Sequence, residues 1–453
     1  GFAAQARTAV PVDNIPQLQT LLAVGDDVYR AVLEGVLDPA EAAVLLSNEV
    51  NSTHGFSVVE APQNNCEASG VLRIWHPWSG RLAETVDKFA ADFAAACTNA
   101  TVLTTQVSER ELYDLYTAVR VDEGRYSLPD LILGPSTWVV PLAQSPSIQS
   151  ITSQVSAETR QRFLPAALST VTINNELYGL PLWVQYETLF YNSALVSDPP
   201  ATLNDLLQQT TPETSAALPA SFLASYWGAR SFGAQLFTEE YRLALAETGF
   251  VDWLNWLVQA QKEPGIFLDE NAVLLQSTFE SGSAAFLIGS SAALGNLESA
   301  MNANDLRVAK LPSGPSGEAS PWLQTAAFFL TADISENQRD LALAFAEYAT
   351  NRANQTYLMR EVRLTPVNIN VSTENDPIMA ALVQNVTSAF VPLNVPQLTA
   401  VLDNGDRVYM DVLSERKEPL TAVCDFTRTV DQANGFSTAP GDLPAVCRDT
   451  GDN

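Results

Sequence analysis

The spacing of apolar and polar positions changes several times along the chain, and each change marks an element. Val71-Leu72-Arg73-Ile74-Trp75 reads as a short strand, and the turn that follows has Pro77 and Gly80 as breakers. Leu82, Val86, Phe89 and Phe93 then fall at helical spacing, with Glu84, Asp87 and Lys88 between them. Strand character returns at residues 100–106 and at Pro129-Asp130-Leu131-Ile132-Leu133-Gly134. This strand–helix–strand order predicts an α/β fold with a largely parallel sheet. In such sheets ligands sit beyond the carboxyl ends of the strands, which singles out the loops 75–80 and 134–138. The helix starting near Arg81 points its N-terminus at the same crevice. Beyond residue 180 the pattern becomes richer in helix, with strands expected again at 307–311 and 326–330 and a helical tail at the end.

The chain also repeats itself. Asn14-Ile15-Pro16-Gln17-Leu18 recurs as Asn394-Val395-Pro396-Gln397-Leu398. The match continues ungapped through Gly25/Gly405, Asp26/Asp406, Tyr29/Tyr409 and Pro39/Pro419 to Gly55-Phe56-Ser57/Gly435-Phe436-Ser437, always at an offset of 380. Two origins fit: a tandem protein of that period, or a duplicated tail used as an extra helical cap. Either way, residues 1–65 read as an accessory helical segment and the functional unit begins near Cys66.

Composition narrows the function classes. The 453 residues carry 52 acidic and 24 basic side chains, a net charge of −28, and Lys occurs only at 88, 262, 310 and 417. No nucleic-acid partner fits such a surface, because nothing would neutralise the phosphates. No basic run would dock on an anionic membrane, and no apolar run approaches the roughly 18 residues of a membrane span. The first residues lack a charged segment followed by an apolar one, so a signal or anchor is expected to lie outside this chain. The four cysteines, without a CxxC pair, disfavour zinc. Cys66 and Cys97 each precede a strand, and parallel neighbouring strands would bring them together; Cys424 and Cys447 would then pair in the tail. Two bridges imply an oxidising, extracytoplasmic compartment, whereas four free thiols would fit a cytosolic protein. No G-x-S-x-G, P-loop, G-x-G-x-x-G or H-E-x-x-H is present, and no cofactor or metal is called for.

Several landmarks, in order, resemble an extracellular solute-binding protein of the maltose-binding type, the receptor of an ABC importer. They are residues 71–93; Pro129-Asp130-Leu131-Ile132; Leu177-Tyr178-Gly179-Leu180-Pro181 followed by Leu189-Phe190-Tyr191-Asn192; Ser231-Phe232-Gly233-Ala234; Phe279-Glu280-Ser281-Gly282-Ser283-Ala284-Ala285-Phe286; Leu311-Pro312 with Gly317; and Asn394-Val395-Pro396-Gln397-Leu398. The resemblance implies a two-lobe periplasmic-binding-protein type II fold with interlobe crossing strands. Lobe 1 would hold 66–179 and 311–362, lobe 2 would hold 180–310 and 363–430, and 431–453 would be a tail. It also implies hinge closure on a ligand, permease subunits as partners, and no catalysis. Sugar recognition uses aromatic rings, which makes Trp75, Trp78, Trp138, Trp227 and Trp322 candidates, each against a reading as core packing. His76, Ser79, Ser136, Gln185, Glu187, Ser290, Ser291 and Arg363 are the candidate polar groups. Their mostly neutral character suits an oligosaccharide or related polyol better than a phosphate or amino acid. Gln185 replaces a ligand-binding carboxylate of the maltose receptor, and Gly289-Ser290-Ser291 and Leu402 stand where that receptor has stacking rings. Maltose itself is therefore not the expected ligand. A non-transport sensor or scaffold, a peptide receptor and a glycosidase are the alternatives.

Overall fold

The computed structural model describes residues 16–33, 39–54, 68–119, 128–302 and 304–448. The chain divides into two compact units, Gly1–Glu67 and Ala68–Asn453. In the first, α1 (Pro16–Leu33) and α2 (Pro39–Thr53) form a helical hairpin. The hydroxyl of Thr20 and His54 Nε2 meet at 2.9 Å, so the start of one helix lies beside the end of the other.

The second unit holds two main sheets and a two-stranded ribbon, Thr172–Ile173 with Glu176–Leu177. The first contains β1 (Gly70–His76), β2 (Ala100–Gln106), β3 (Leu131–Pro135), β4 (Gly179–Gln185), β10 (Gln324–Leu330) and β11 (Thr365–Pro366), in the order β11-β4-β10-β3-β1-β2. The second contains β5 (Glu187–Asn192), β6 (Ala216–Pro219), β7 (Ile266–Asp269), β8 (Phe286–Ser290) and β9 (Leu306–Ala309), in the order β9-β5-β8-β6-β7. β1 runs parallel to β2 and β3, as the strand–helix–strand pattern predicts. Leu131 to Gly134 are all buried, as a strand covered on both faces requires. One cover is α3 (Arg81–Ala96), which turns Val86, Phe89, Ala90 and Phe93 inward. Asp130 is a structural residue. Its carboxylate accepts the Arg73 backbone N–H at 2.8 Å and Gln338 Nε2 at 2.9 Å, tying β1 to α8 (Glu336–Ala349).

The expected lobe boundaries shift. Residues 180–185 belong to the first sheet, not the second lobe, because β4 pairs with β10 along its length. The chain crosses at Tyr186 and enters β5. The return crossing is later than 311: Ser313 still bonds Ala201, and Ser320 still bonds Trp227, before β10 begins. β11 pairs with β4, so 365–366 also belong to the first sheet. Nor is 431–453 a separate tail. α11 (Pro419–Ala433) runs through its start, and Leu443 and Cys447 are buried in the second-lobe core.

That core forms where α5 (Phe222–Ser231) and α6 (Phe250–Ala260) meet α10 (Gln397–Leu413) and α11. Cys424 and Cys447 are bridged. Cys97 is buried, and its proposed partner Cys66 lies outside the described residues. Among the described residues no helix is long and apolar enough to cross a membrane.

Candidate functional site

The register of the two sheets builds the site. His76, Pro135 and Gln185 end their strands, and Gln324 and Thr365 begin theirs, at one edge of the first sheet. In the second sheet Glu187 and Ser290 are register partners where the chain has just crossed over. The two lobes therefore meet along the line where the crossing strands pass.

A cavity of about 390 Å³ opens between the turn after β3 and α10. The first lobe contributes Glu109 and Tyr113 from α4 (Glu109–Val119), with Thr137 and Trp138 from the turn after β3. The second lobe contributes Thr399, Leu402 and Asp403 from α10. Tyr113 and Trp138 have ring centroids 5.9 Å apart at 47°. Burial raises the pKa of Glu109, of Asp403 and of the Tyr113 phenol, and the negative charge of Asp403 and Asp114 adds to the last. The cavity thus presents aromatic faces, hydroxyls and carboxyl groups drawn from both lobes.

Of the residues singled out in the sequence, Trp138 lines this cavity. Trp78 lies in the loop after β1, its ring 4.4 Å from Trp183. Trp75 is half-buried on β1, and Ser79 is exposed. His76 stacks near Trp78 at 6.1 Å but is only 2% exposed, and burial lowers its pKa. Gln185 Nε2 donates to Gln324 Oε1 at 3.3 Å.

Four serines were expected to offer hydroxyls to a ligand, and three are engaged by the protein. Ser136 Oγ accepts the Thr325 N–H at 3.1 Å. Ser290 Oγ accepts the Ala292 N–H at 3.3 Å. Ser291 Oγ accepts the Tyr186 N–H at 3.3 Å, while its own N–H donates to the Tyr186 carbonyl at 2.9 Å. The Ser291 pair ties the first crossing at Tyr186 to the end of β8.

Glu187 lines a different cavity of about 300 Å³, with Tyr186, Pro200, Leu311 and Ser388, that shares no lining residue with the first. Lys310 lines the same cavity, and burial pushes the pKa of Glu187 up to about 8.

Three expectations are corrected. Trp227 and Trp322 are each 1% exposed. Trp227 packs edge-on to Trp253 at 5.1 Å, and Trp322 packs on Tyr226 and Phe390 at 5.2 Å. Both are second-lobe core, because the helix face carrying Phe222, Tyr226 and Trp227 turns inward. Arg363 is engaged within the protein. Its guanidinium pairs bidentately with Glu298 on α7 (Leu294–Ala300) at 2.7 and 2.8 Å, and also with Asp376, the N-cap of α9 (Pro377–Asn385). Sequence reasoning missed Glu109, Tyr113 and Asp403. The spacing of the first two, i and i+4, was the available signal that they share a helix face.

A family profile described as bacterial extracellular solute-binding protein matches residues 88–385. The maltodextrin-binding protein MdxE of Bacillus subtilis (strain 168) is 21% identical over 359 residues, covering 73% of this chain and 83% of that protein. The maltotriose-binding protein of Pyrococcus abyssi (strain GE5 / Orsay) is 24% identical over 374 residues, covering 77% and 79%. The GacH receptor of Streptomyces glaucescens GLA.O, solved unliganded and with acarbose, shares the fold at a TM-score of 0.72 and 18% identity, over 82% of this chain and all of that one. With two lobes, three passages between them and a cavity at their junction, the chain belongs to the bacterial extracellular solute-binding protein family.

Proposed function

We propose that this protein is the receptor of an ABC importer and captures a neutral carbohydrate, an oligosaccharide or related polyol, in the cavity between its lobes. The observation that carries the reading is the convergence of Tyr113 and Trp138 with Thr137 and Glu109 on one lobe and Thr399 and Asp403 on the other. Sugar rings present apolar faces that stack on aromatic side chains, and equatorial hydroxyls that donate to carboxyl oxygens and share hydrogen bonds with hydroxyls. Groups from both lobes can be satisfied together only when the lobes close, so ligand and closure stabilise one another. The relatives named above for maltodextrin and maltotriose point to the same ligand class. Leu402 lines the cavity in place of a ring, which argues for a different stacking pattern from maltodextrin receptors. The bridge between Cys424 and Cys447 suits an extracytoplasmic setting.

Calorimetric titration of the full chain with neutral mono- and oligosaccharides tests this. Saturable binding that Trp138→Ala weakens at least tenfold, with the sugar recovered intact, is expected. Binding of peptides or anions alone would overturn the ligand class, and release of shortened sugar would overturn the receptor role.

A further inference from the structure

The repeated segment has the same secondary structure in both places but not the same surroundings. α1 and α10 end at Leu33 and Leu413, and α2 and α11 span Pro39–Thr53 and Pro419–Ala433, so these helix limits differ by the same 380 residues as the sequence match. Each hairpin is closed onto the first turns of its first helix by the same position at its end: His54 meets Thr20 in the first, and Asn434 Nδ2 donates to the Gln397 carbonyl in the second.

In the C-terminal hairpin the shared residues have defined tasks. Tyr409 is fully buried against Phe222 and Phe250, and its hydroxyl accepts Trp253 Nε1–H at 3.2 Å. Asp406 Oδ1 accepts the Phe222 backbone N–H at 2.8 Å. Gly405 is required by close approach, since a Cβ there would lie 2.4 Å from the Phe222 ring. The N-terminal hairpin has the same three residues, Gly25, Asp26 and Tyr29, without those tasks. Tyr29 is 68% exposed, Leu21 (counterpart of the fully buried Val401) is 40% exposed, and nothing lies within 4 Å of a Cβ built on Gly25.

We propose that residues 16–53 are the closing hairpin of a second solute-binding unit that precedes this one in the same polypeptide. They would seat on that unit's second lobe as 397–433 seat here. Tyr29 would take an indole N–H, Asp26 a backbone N–H at a helix start, and Gly25 the aromatic ring above it. A second copy of this chain is not the occupant, because its own α10 and α11 already cover that face and the Cys424–Cys447 bridge fastens the latter. The inference rests on the fold and not on the sugar reading.

The test exchanges residues 397–433 of the full chain for residues 17–53, with Val44→Cys in the inserted copy so that Cys447 keeps a partner, and reads near-ultraviolet circular dichroism and thermal unfolding. A cooperative transition is expected. Tyr29→Ala or Gly25→Leu in the inserted copy should lower its Tm by about 5 °C or more, while the same changes at the original positions shift the parent by about 1 °C at most. An exchanged chain without cooperative unfolding, or one indifferent to both changes, would overturn the proposal. An independent reading comes from the native protein at its source, identified by mass spectrometry. Peptides of a second solute-binding unit joined ahead of Gly1 are expected, and a native polypeptide extending no further than Gly1 would overturn it.

Discussion

Gln185 and Gln324 are register partners on β4 and β10, and their side-chain amides are joined at 3.3 Å where the first crossing leaves the first sheet and the second one returns. The pair joins the two strands that carry these crossings. Replacing Gln185 by Ala removes a half-buried hydrogen bond worth about 1 kcal/mol. Chemical denaturation should register that loss, and relaxation-dispersion NMR should register faster lobe exchange in the ligand-free protein.

Glu187 makes stability depend on pH in a defined direction. Its folded pKa is raised from 4.5 to about 8 by burial. Below about pH 4.5 the carboxyl is protonated in both folded and unfolded chains and costs nothing. Between there and about pH 8 only the unfolded chain releases the proton, so stability falls as pH rises; above that the loss is complete. Glu187→Gln should therefore match the parent near pH 4 and exceed it at pH 8 by about 4 kcal/mol. Urea midpoints across that range check it, and equal slopes for the two proteins would contradict the assignment.

Two tryptophans of the same chain should behave oppositely. Trp227→Ala empties a fully buried site and should cost about 3–5 kcal/mol while leaving carbohydrate affinity within twofold. Trp138→Ala should cost less stability and most of the affinity, because the ring borders the interlobe cavity. Paired thermal melts and titrations separate the two effects.

These two residues also show what the sequence discloses. Strands such as Leu131–Pro135 were legible because a run of apolar residues between breakers has few other uses. The lobe boundaries were not, because β4 is buried throughout and reads the same whether it ends one sheet or begins another. Trp227 looked like a cleft residue because residue type does not disclose which face of a helix turns inward. The spacing of Phe222, Tyr226 and Trp227 held that information. The engagement of Ser136 and Ser291 by backbone N–H groups 189 and 105 residues away in sequence could not be read locally. Nor could the pairing of Arg363 with Glu298.

That last pairing carries its own prediction. Arg363 sits at φ 66 two residues before β11 of the first sheet, and joins α7, which follows β8 of the second, to the start of α9. Arg363→Met leaves two poorly exposed carboxylates facing each other and should destabilise by about 3 kcal/mol, since removing one partner of a desolvated pair strands the other. Arg363→Lys should recover less than half of that, because one ammonium cannot span both carboxylates bidentately. Thermal unfolding of the two variants against the parent measures this.

Closure of the lobes on a carbohydrate is read by small-angle X-ray scattering of the full chain, with and without a saturating neutral oligosaccharide identified by titration. A smaller radius of gyration is expected with sugar, and no change in Trp138→Ala at the same sugar concentration. An unchanged radius in the parent under saturating sugar, or the same compaction in the variant, would contradict it.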